Sequence, residues 1–265
     1  MKTPILLNHL QSAKKSMFFW SLALAGSTVL VIALFDSMSA QYAAAFEDAG
    51  VPAGFEAFLG DTSAFSSPAG WLGIEMFSLM LPISLAIIGI GTGASAIGRE
   101  ENNGTLELLL SSPVSRGRIL LEKFAAVSAQ LAIICLVILL SIIAAKDAFD
   151  FNISISNTAL ATLSVFLVGL VFASISMMVQ AITGKRGLAI GVCSGLLITS
   201  YFIDSLAPLV DSIDNFKYAS AFYYYEGQEA LIDGITVANT VILSAASAAF
   251  VAAAYFGFRN RDIDV

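Results

Sequence analysis

The chain has 265 residues, of which 57% are hydrophobic and only 12% are charged, with a formal net charge of −7. This small amount of polar surface cannot cover a water-soluble globule of this length. The composition therefore excludes a water-soluble globular protein and predicts an integral membrane protein. The acidic balance identifies no substrate, and we expect no nucleic-acid partner.

The amino-terminal segment, residues 1–16, is amphipathic. Its apolar residues fall on one helical face, while its lysines and amides lie toward the other. This pattern predicts an elbow helix that lies in the membrane interface. The apolar run that follows lacks the exit site of a cleavable signal, so we expect it to be retained as the first span.

Stretches of about 20 apolar residues, the length that crosses a bilayer, recur six times. The predicted spans are Met17–Phe35, Trp71–Ile97, Phe124–Ala145, Thr158–Ile182, Leu188–Ile203 and Ile235–Phe258. Backbone groups in lipid must pair within helices, so the predicted fold is an all-α bundle. Since no other segment is large enough to fold alone, residues 1–265 form one transmembrane domain.

The basic residues predict the orientation. Eleven of the thirteen lysines and arginines fall on the side shared by the two termini, and only Lys146 and Lys217 fall on the other. Because basic residues accumulate on the cytoplasmic side, both termini are predicted to be cytoplasmic. The outer connections carry most of the acidic residues.

Two outer connections are predicted to hold short helices. The first includes a helical stretch at Tyr42–Asp48, and the last, residues 204–234, contains two amphipathic stretches that favour helices in the outer interface. Within the second span, glycines at 89, 91, 93 and 98 follow Pro82 and allow bending or close helix packing, of which close packing is favoured.

Polar side chains within the spans are candidates for a substrate path. Glu75 lies one turn below Trp71, where a carboxylate can either line a path or reach water. Ser78, Ser84 and Thr199 are the other candidates. Deep in the spans, the other polar residues are expected to be serines, threonines and one glutamine, Gln180. This composition counts against ion-coupled transport, because the proteins that perform it usually carry ionisable residues near the midplane.

Motifs of catalysis are missing from the sequence. No Gly-x-x-x-x-Gly-Lys-Ser/Thr phosphate loop, no nucleophile elbow and no metal-ligand spacing is present. We therefore expect no catalytic residue, no metal site and no enzymatic activity in this chain.

A charged insert separates the second and third spans. Residues 99–118 carry three acids and three arginines, which cannot lie in the bilayer core. Within it, Leu106, Leu109 and Leu110 have helical spacing, Thr105 can cap the start and Pro113 ends the pattern. A helix this short needs support, so its apolar ridge must contact either lipid or a groove on a partner.

The run Glu-Asn-Asn-Gly-Thr-Leu-Glu-Leu-Leu-Leu-Ser-Ser-Pro-Val-Ser-Arg-Gly-Arg-Ile-Leu-Leu-Glu-Lys, residues 101–123, resembles the signature of ATP-binding-cassette (ABC) permeases of the ABC-2, or type-2 exporter, class. The elbow, six spans and helical outer connection are similar to that class over the whole chain. One departure is Glu122, where many relatives have glycine.

The resemblance implies that residues 99–122 form a cytoplasmic coupling helix seated in a cleft of a separate ATPase subunit in the cell membrane. The implied contact residues are Glu100, Glu101, Gly104, Thr105, Leu106, Glu107, Leu109, Leu110, Arg116 and Arg118. ATP and Mg would be bound by that partner, so no cofactor is expected here. A second permease copy or a paralogue would complete the translocation unit.

Two other functions remain open at this point. One is an ATP-independent secondary transporter, and the other is a non-transporting membrane scaffold or sensor subunit.

Overall fold

The computed structural model describes residues 5–49, 65–102, 115–210 and 215–261. Within these ranges the regular structure is helical, without β-strands, and six helices are long and apolar enough to cross a membrane. Each of the six overlaps one predicted span. The all-α fold and the number of candidate spans are therefore confirmed.

The helices follow one another with short connections wherever the connection is described. They are α1 (Ile5–Ala33), α2 (Phe35–Ala49), α3 (Pro68–Leu72), α4 (Met80–Asn102), α5 (Arg116–Ala148), α6 (Ile155–Thr183), α7 (Arg186–Leu206), α8 (Gln228–Asp233) and α9 (Val237–Asn260). A π-helical turn, Gly73–Phe77, joins α3 to α4, and the three together make the second span. Short 3₁₀ turns occupy Ala207–Leu209 and Lys217–Ala219.

The terminal and outer segments differ in part from the prediction. Residues 5–16 are helical, but a single helix continues to Ala33, so no break separates an elbow from the first span. The predicted helix at Tyr42–Asp48 lies inside the longer α2. In the connection 204–234, α8 is one of the two predicted helices, whereas the other amphipathic stretch begins as a 3₁₀ turn and residues 211–214 lie outside the described ranges.

The centre of the bundle is formed by α4 and α6. In the apolar window of α6, 67% of the residues are buried, whereas α1 and α7 bury only 17% of theirs. Helices α1 and α7 consequently present large apolar side chains outward, among them Phe18, Phe19 and Ile198. In a bilayer such faces contact lipid or another protein.

Small residues bring α4 and α6 into close contact. A side chain on Gly89 or Gly93 of α4 would overlap the backbone of α6 at Gly169 and Ala173. The close approach allows Ser176 Oγ to donate a hydrogen bond of 2.8 Å across to the Ile90 carbonyl. Close packing, as predicted, is observed at Gly89 and Gly93, since small residues let backbones approach in membranes, whereas Gly91 has nothing within 4 Å of an added Cβ.

Candidate functional site

The predicted coupling segment leaves the bundle from α4 and returns to it through α5. Its centre lies outside the described residues, so the predicted amphipathic helix stays a prediction. The residues concerned are Gly104, Thr105, Leu106, Glu107, Leu109 and Leu110. Glu100 and Glu101 belong to the last turns of α4, where only the backbone is described.

The return from the insert is organised by a helix cap. Ser115 Oγ accepts a 3.4 Å hydrogen bond from the backbone N–H of Arg118, which satisfies a free donor at the start of α5. Arg118 Nε lies 2.9 Å from Glu122 Oε1, and the arginine side chain is 71% exposed. An exposed pair of this kind contributes little to stability, so Arg118 stays available at the surface. Glu122, the departure from the family pattern, is its partner.

Arg116 and Arg261 tie the start of α5 to the ends of two other spans. The Arg116 guanidinium donates a 2.9 Å hydrogen bond to the Arg261 carbonyl, just beyond α9. The Arg261 guanidinium in turn donates to the carbonyl of Ala181 at 3.3 Å and reaches that of Gln180 at 3.5 Å, in the last turn of α6. Carbonyls at a helix end lack partners within the helix, so a cation stabilises them. Burial lowers the pKa of Arg261, but arginine stays charged because its ordinary pKa is so high.

Glycines make room for these contacts. Gly184 ends α6 in the left-handed conformation, with φ of 68°, and a side chain there would overlap the Arg261 guanidinium. At the start of α5, Gly117 lies against the ring of Tyr255 from α9, and a side chain at Gly117 would overlap that ring. Lys123, which closes the signature run, is buried. We call Arg116, Gly117, Tyr255 and Arg261 with the last turn of α6 the inner clasp.

Sequence reasoning found Arg116 as a residue of the coupling segment and Arg261 as a basic residue on the cytoplasmic side, but it did not find the contacts of the inner clasp. The partners of these two arginines are backbone carbonyls, which no side-chain pattern indicates. The reading that Gln180 is the one glutamine within the spans was wrong. Gln130 lies in α5, within the third span, and is fully buried.

The π-helical turn lies at the other end of the second span and carries two of the candidate path residues. Glu75 lies within this turn, and Ser78 directly follows it. The Ser78 N–H donates to the Gly73 carbonyl at 2.7 Å, five residues back, and Glu75 is half-buried on this turn. Single π turns inside helices are frequent at functional sites. Ser84 is half-buried on α4, and Thr199 is exposed on α7, so the structure places these two on different helices.

The outer connection packs directly on the π-helical turn. Tyr225 Oη donates a 2.6 Å hydrogen bond to the Phe77 carbonyl, and burial raises the Tyr225 pKa, so the phenol keeps its proton. Ser78 Oγ lies 3.4 Å from Gln228 Oε1 of α8. Nearby, Trp71 Nε1 donates to the Val31 carbonyl at 2.8 Å and joins the first two spans. The π-helical turn is thus held from two sides.

The geometry described so far combines six candidate spans with a charged insert whose ends are anchored in the bundle. The family described as "ABC-2 family transporter protein" matches residues 5–263. The chain belongs to the ABC-2 transporter family. No curated protein matches this ABC-2 chain.

Membership confirms the resemblance seen in residues 101–123 and gives the protein the role of an ABC permease in a membrane. Across the described ranges, no group of three or more His, Cys, Asp or Glu side chains could hold a metal ion. Permeases of the ABC-2 family are typically non-catalytic, and they associate with an ABC ATPase subunit.

Proposed function

We propose that this ABC-2 permease is the membrane subunit of an ATP-driven exporter and that residues 99–122 receive the movement of a separate ATPase. The observation that carries the proposal is the family match over residues 5–263 together with the charged insert between the second and third spans. The ATPase binds ATP and Mg, and this chain supplies the path through the membrane.

The inner clasp supports this role because it connects the insert to several spans at once. A displacement of the insert acts first on the end of α4 and the start of α5. From α5, the Arg116 and Gly117 contacts reach α9, and Arg261 reaches the last turn of α6. From α4, the glycine contacts reach α6 at its middle. Packed helices move as units rather than deforming, so a push on the insert reaches four spans.

Orientation and assembly follow from charge and exposure. The excess of basic residues beside the termini and the insert supports a cytoplasmic location for them, which is the compartment of ATP, in a chain that crosses the plasma membrane. Arg116 and Arg118 then form polar contacts around the apolar ridge of Leu106, Leu109 and Leu110. The outward apolar faces of α1 and α7 offer a surface for a second permease, either an identical copy or a paralogue.

The test replaces Leu109 with aspartate in the tagged full-length chain and measures the ATPase that co-purifies from the native membrane. A carboxylate in the centre of an apolar ridge must lose its hydrating water to enter a groove. The free energy of that desolvation is much larger than the free energy gained from the contact. We expect Leu109→Asp to reduce coupled ATPase activity by at least tenfold while the permease stays folded. Leu209→Asp is the matched control, because Leu209 is an exposed leucine at the opposite end of the bundle.

Three results would contradict the proposal. Equal stimulation of the ATPase by wild type and Leu109→Asp would remove the insert from the coupling contact. A stable permease that transports without any ATPase would establish an ATP-independent transporter, and an ATPase complex without substrate-dependent turnover would establish a scaffold or sensor.

A further inference from the structure

A cavity of about 260 Å³, lined by apolar as well as polar side chains, lies between α1, α4, α5 and the start of α7, near the end of the bundle that holds the chain termini. Four hydroxyl groups, an amide, a histidine and a guanidinium line it. The residues concerned are Ser12, Ser16, Thr92, Ser95, Gln130 and Arg186, with His9 beside them. None of the described residues that line this cavity is an aspartate or a glutamate. The cavity is neither part of the inner clasp nor part of the outer π-helical turn.

Gln130 is the first sign that the cavity is built for a polar occupant. The side chain is fully buried, and neither Nε2 nor Oε1 has a hydrogen-bond partner among the described residues. An unsatisfied buried polar group costs roughly 1–3 kcal/mol. An occupant of the cavity that both accepts from Nε2 and donates to Oε1 would remove this cost.

Arg186 adds a positive charge to the same cavity. It is the first residue of α7, and its Nε atom is buried without a hydrogen-bond partner among the described residues. Its stem lies over Gly98 of α4, where an added Cβ would be 3.2 Å from the Arg186 Cβ, so the side chain has little freedom. The start of α7 also contributes the positive end of a helix dipole. A guanidinium held at a helix start is suited to an anionic oxygen, above all that of a phosphate.

The hydroxyl groups of the lining demand the opposite chemistry. Thr92 Oγ1 donates to the Ile88 carbonyl at 2.8 Å, and Ser95 Oγ donates to the Gly91 carbonyl at 2.6 Å. Because their protons are used within α4, both oxygens present lone pairs to the cavity. Ser12 Oγ likewise donates to the His9 carbonyl, at 2.7 Å. An occupant that hydrogen-bonds to these hydroxyl oxygens donates hydrogen bonds to them. The same occupant carries a negative charge where it meets Arg186.

We propose that this cavity binds a phosphate ester whose other end carries a hydroxyl group or an ammonium group with N–H donors. The phosphate contacts Arg186 and Gln130 Nε2, and the donor end contacts Gln130 Oε1 and the hydroxyls of α4 and α1. Two sources have this chemistry, namely the headgroup of a phospholipid and a soluble phosphate monoester such as glycerol phosphate.

The height of the cavity is compatible with the lipid source. On another face of α1, Lys14 and Lys15 lie one turn before the exposed Phe18 and Phe19, and the four line a shallow surface groove. Lysines that precede lipid-facing rings are typical of the headgroup level. Ser12 and Ser16 lie at that height on the same helix. A headgroup therefore reaches the cavity without leaving the interface.

The test measures how much phospholipid the purified full-length permease retains after a detergent wash. Phosphatidylglycerol supplies phosphate and hydroxyl donors, phosphatidylcholine supplies phosphate without donors, and diacylglycerol supplies a hydroxyl without phosphate. We expect retention of phosphatidylglycerol only, with an affinity about tenfold lower in Arg186→Ala and in Gln130→Leu, as expected for one lost charge-assisted contact. Arg259→Ala, an exposed arginine at the same end of the bundle, is the matched control and should bind as wild type does.

The outcomes separate the sources and the alternatives. Competition by glycerol phosphate identifies a soluble ligand, and its absence identifies a lipid headgroup; both support the site. Equal retention of phosphatidylcholine, or equal loss in Arg259→Ala, overturns the proposal. If the variants fail to fold, the wild type decides alone: a thermal shift with phosphatidylglycerol or glycerol phosphate but not with diacylglycerol or glycerol supports the site, and no difference leaves only water in the cavity and overturns it.

Discussion

The close contact between α4 and α6 predicts that two glycines of the second span tolerate no side chain, while a third glycine between them does. An added Cβ at Gly93 would lie 3.1 Å from the Ala173 carbonyl carbon and closer still to its oxygen. At Gly89 it would overlap the Gly169 carbonyl oxygen. Backbone atoms cannot rotate away as a side chain can, so α4 and α6 must separate. Gly91, on the same helix, has nothing within 4 Å of the position of its Cβ.

The expected cost follows from that separation. Moving two packed surfaces apart by about 0.5–1 Å forfeits a quarter to a half of each dispersion contact, and overpacking a core costs about 1–3 kcal/mol. We therefore expect Gly93→Ala and Gly89→Ala each to lower the free energy of unfolding by about 1–3 kcal/mol. Gly91→Ala should leave it unchanged or raise it by up to about 1 kcal/mol, because alanine favours helix over glycine.

The assay is reversible unfolding of the purified permease in mixed micelles with increasing sodium dodecyl sulfate, followed by helical circular dichroism. The double variant Gly89→Ala/Gly93→Ala should cost less than the sum of the single changes, because one separation of the helices relieves both overlaps. If Gly93→Ala unfolds at the same detergent fraction as Gly91→Ala, or later, the close packing of α4 on α6 is refuted.

Of three further predictions, the first two use matched residues. Ser176→Ala should cost about 0.6–1.7 kcal/mol of stability in the same unfolding assay, since its hydrogen bond joins two helices, whereas Ser174→Ala, whose hydroxyl donates within its own helix, should cost less; equal costs contradict this. Arg261→Ala should cost about 1 kcal/mol and weaken ATPase coupling, and exposed Arg259→Ala should do neither; normal coupling in Arg261→Ala removes the inner clasp from the mechanism. Glu75→Gln should change transport of a cationic solute several-fold in vesicles without changing assembly, and unchanged transport would make Glu75 structural.

The spans could be predicted because hydrophobic length is a property of the chain itself. Helix α6 contains an uninterrupted apolar run, and the bilayer requires its backbone to pair internally, so its existence did not depend on any neighbour. The continuity of α1 could not be predicted in this way. The amphipathic residues 5–16 favour the membrane interface and the apolar residues after them favour its interior, which is why two separate helices were predicted. The observed helix continues because no proline or glycine at the boundary ends it.

The π-helical turn was beyond the reach of the sequence for a different reason. Pro82 suggested a bend, but the irregular turn lies before it, at Gly73–Phe77, where Tyr225 and Gln228 approach from the outer connection. An added Cβ at Gly73 would lie 2.7 Å from the Gln228 Cγ. The need for a glycine at this position therefore comes from a contact with a residue far along the chain. A period of 3.6 residues carries no information about such a neighbour.

In the candidate site, too, one part could be predicted from the side chains of the sequence and the other part depends on contacts made only in the fold. The insert was recognised from its side chains, because residues 101–123 resemble a family signature. Arg116 lies within that run, but the contacts of the inner clasp were not recognised, because Arg116 and Arg261 donate to backbone carbonyls, which every residue offers. A helix end accepts a cation whatever its sequence, and only the fold decides which arginine reaches it. In the proposed coupling, contacts of both kinds transmit the movement, so a substitution at Arg261, outside the signature run, should impair coupling as well.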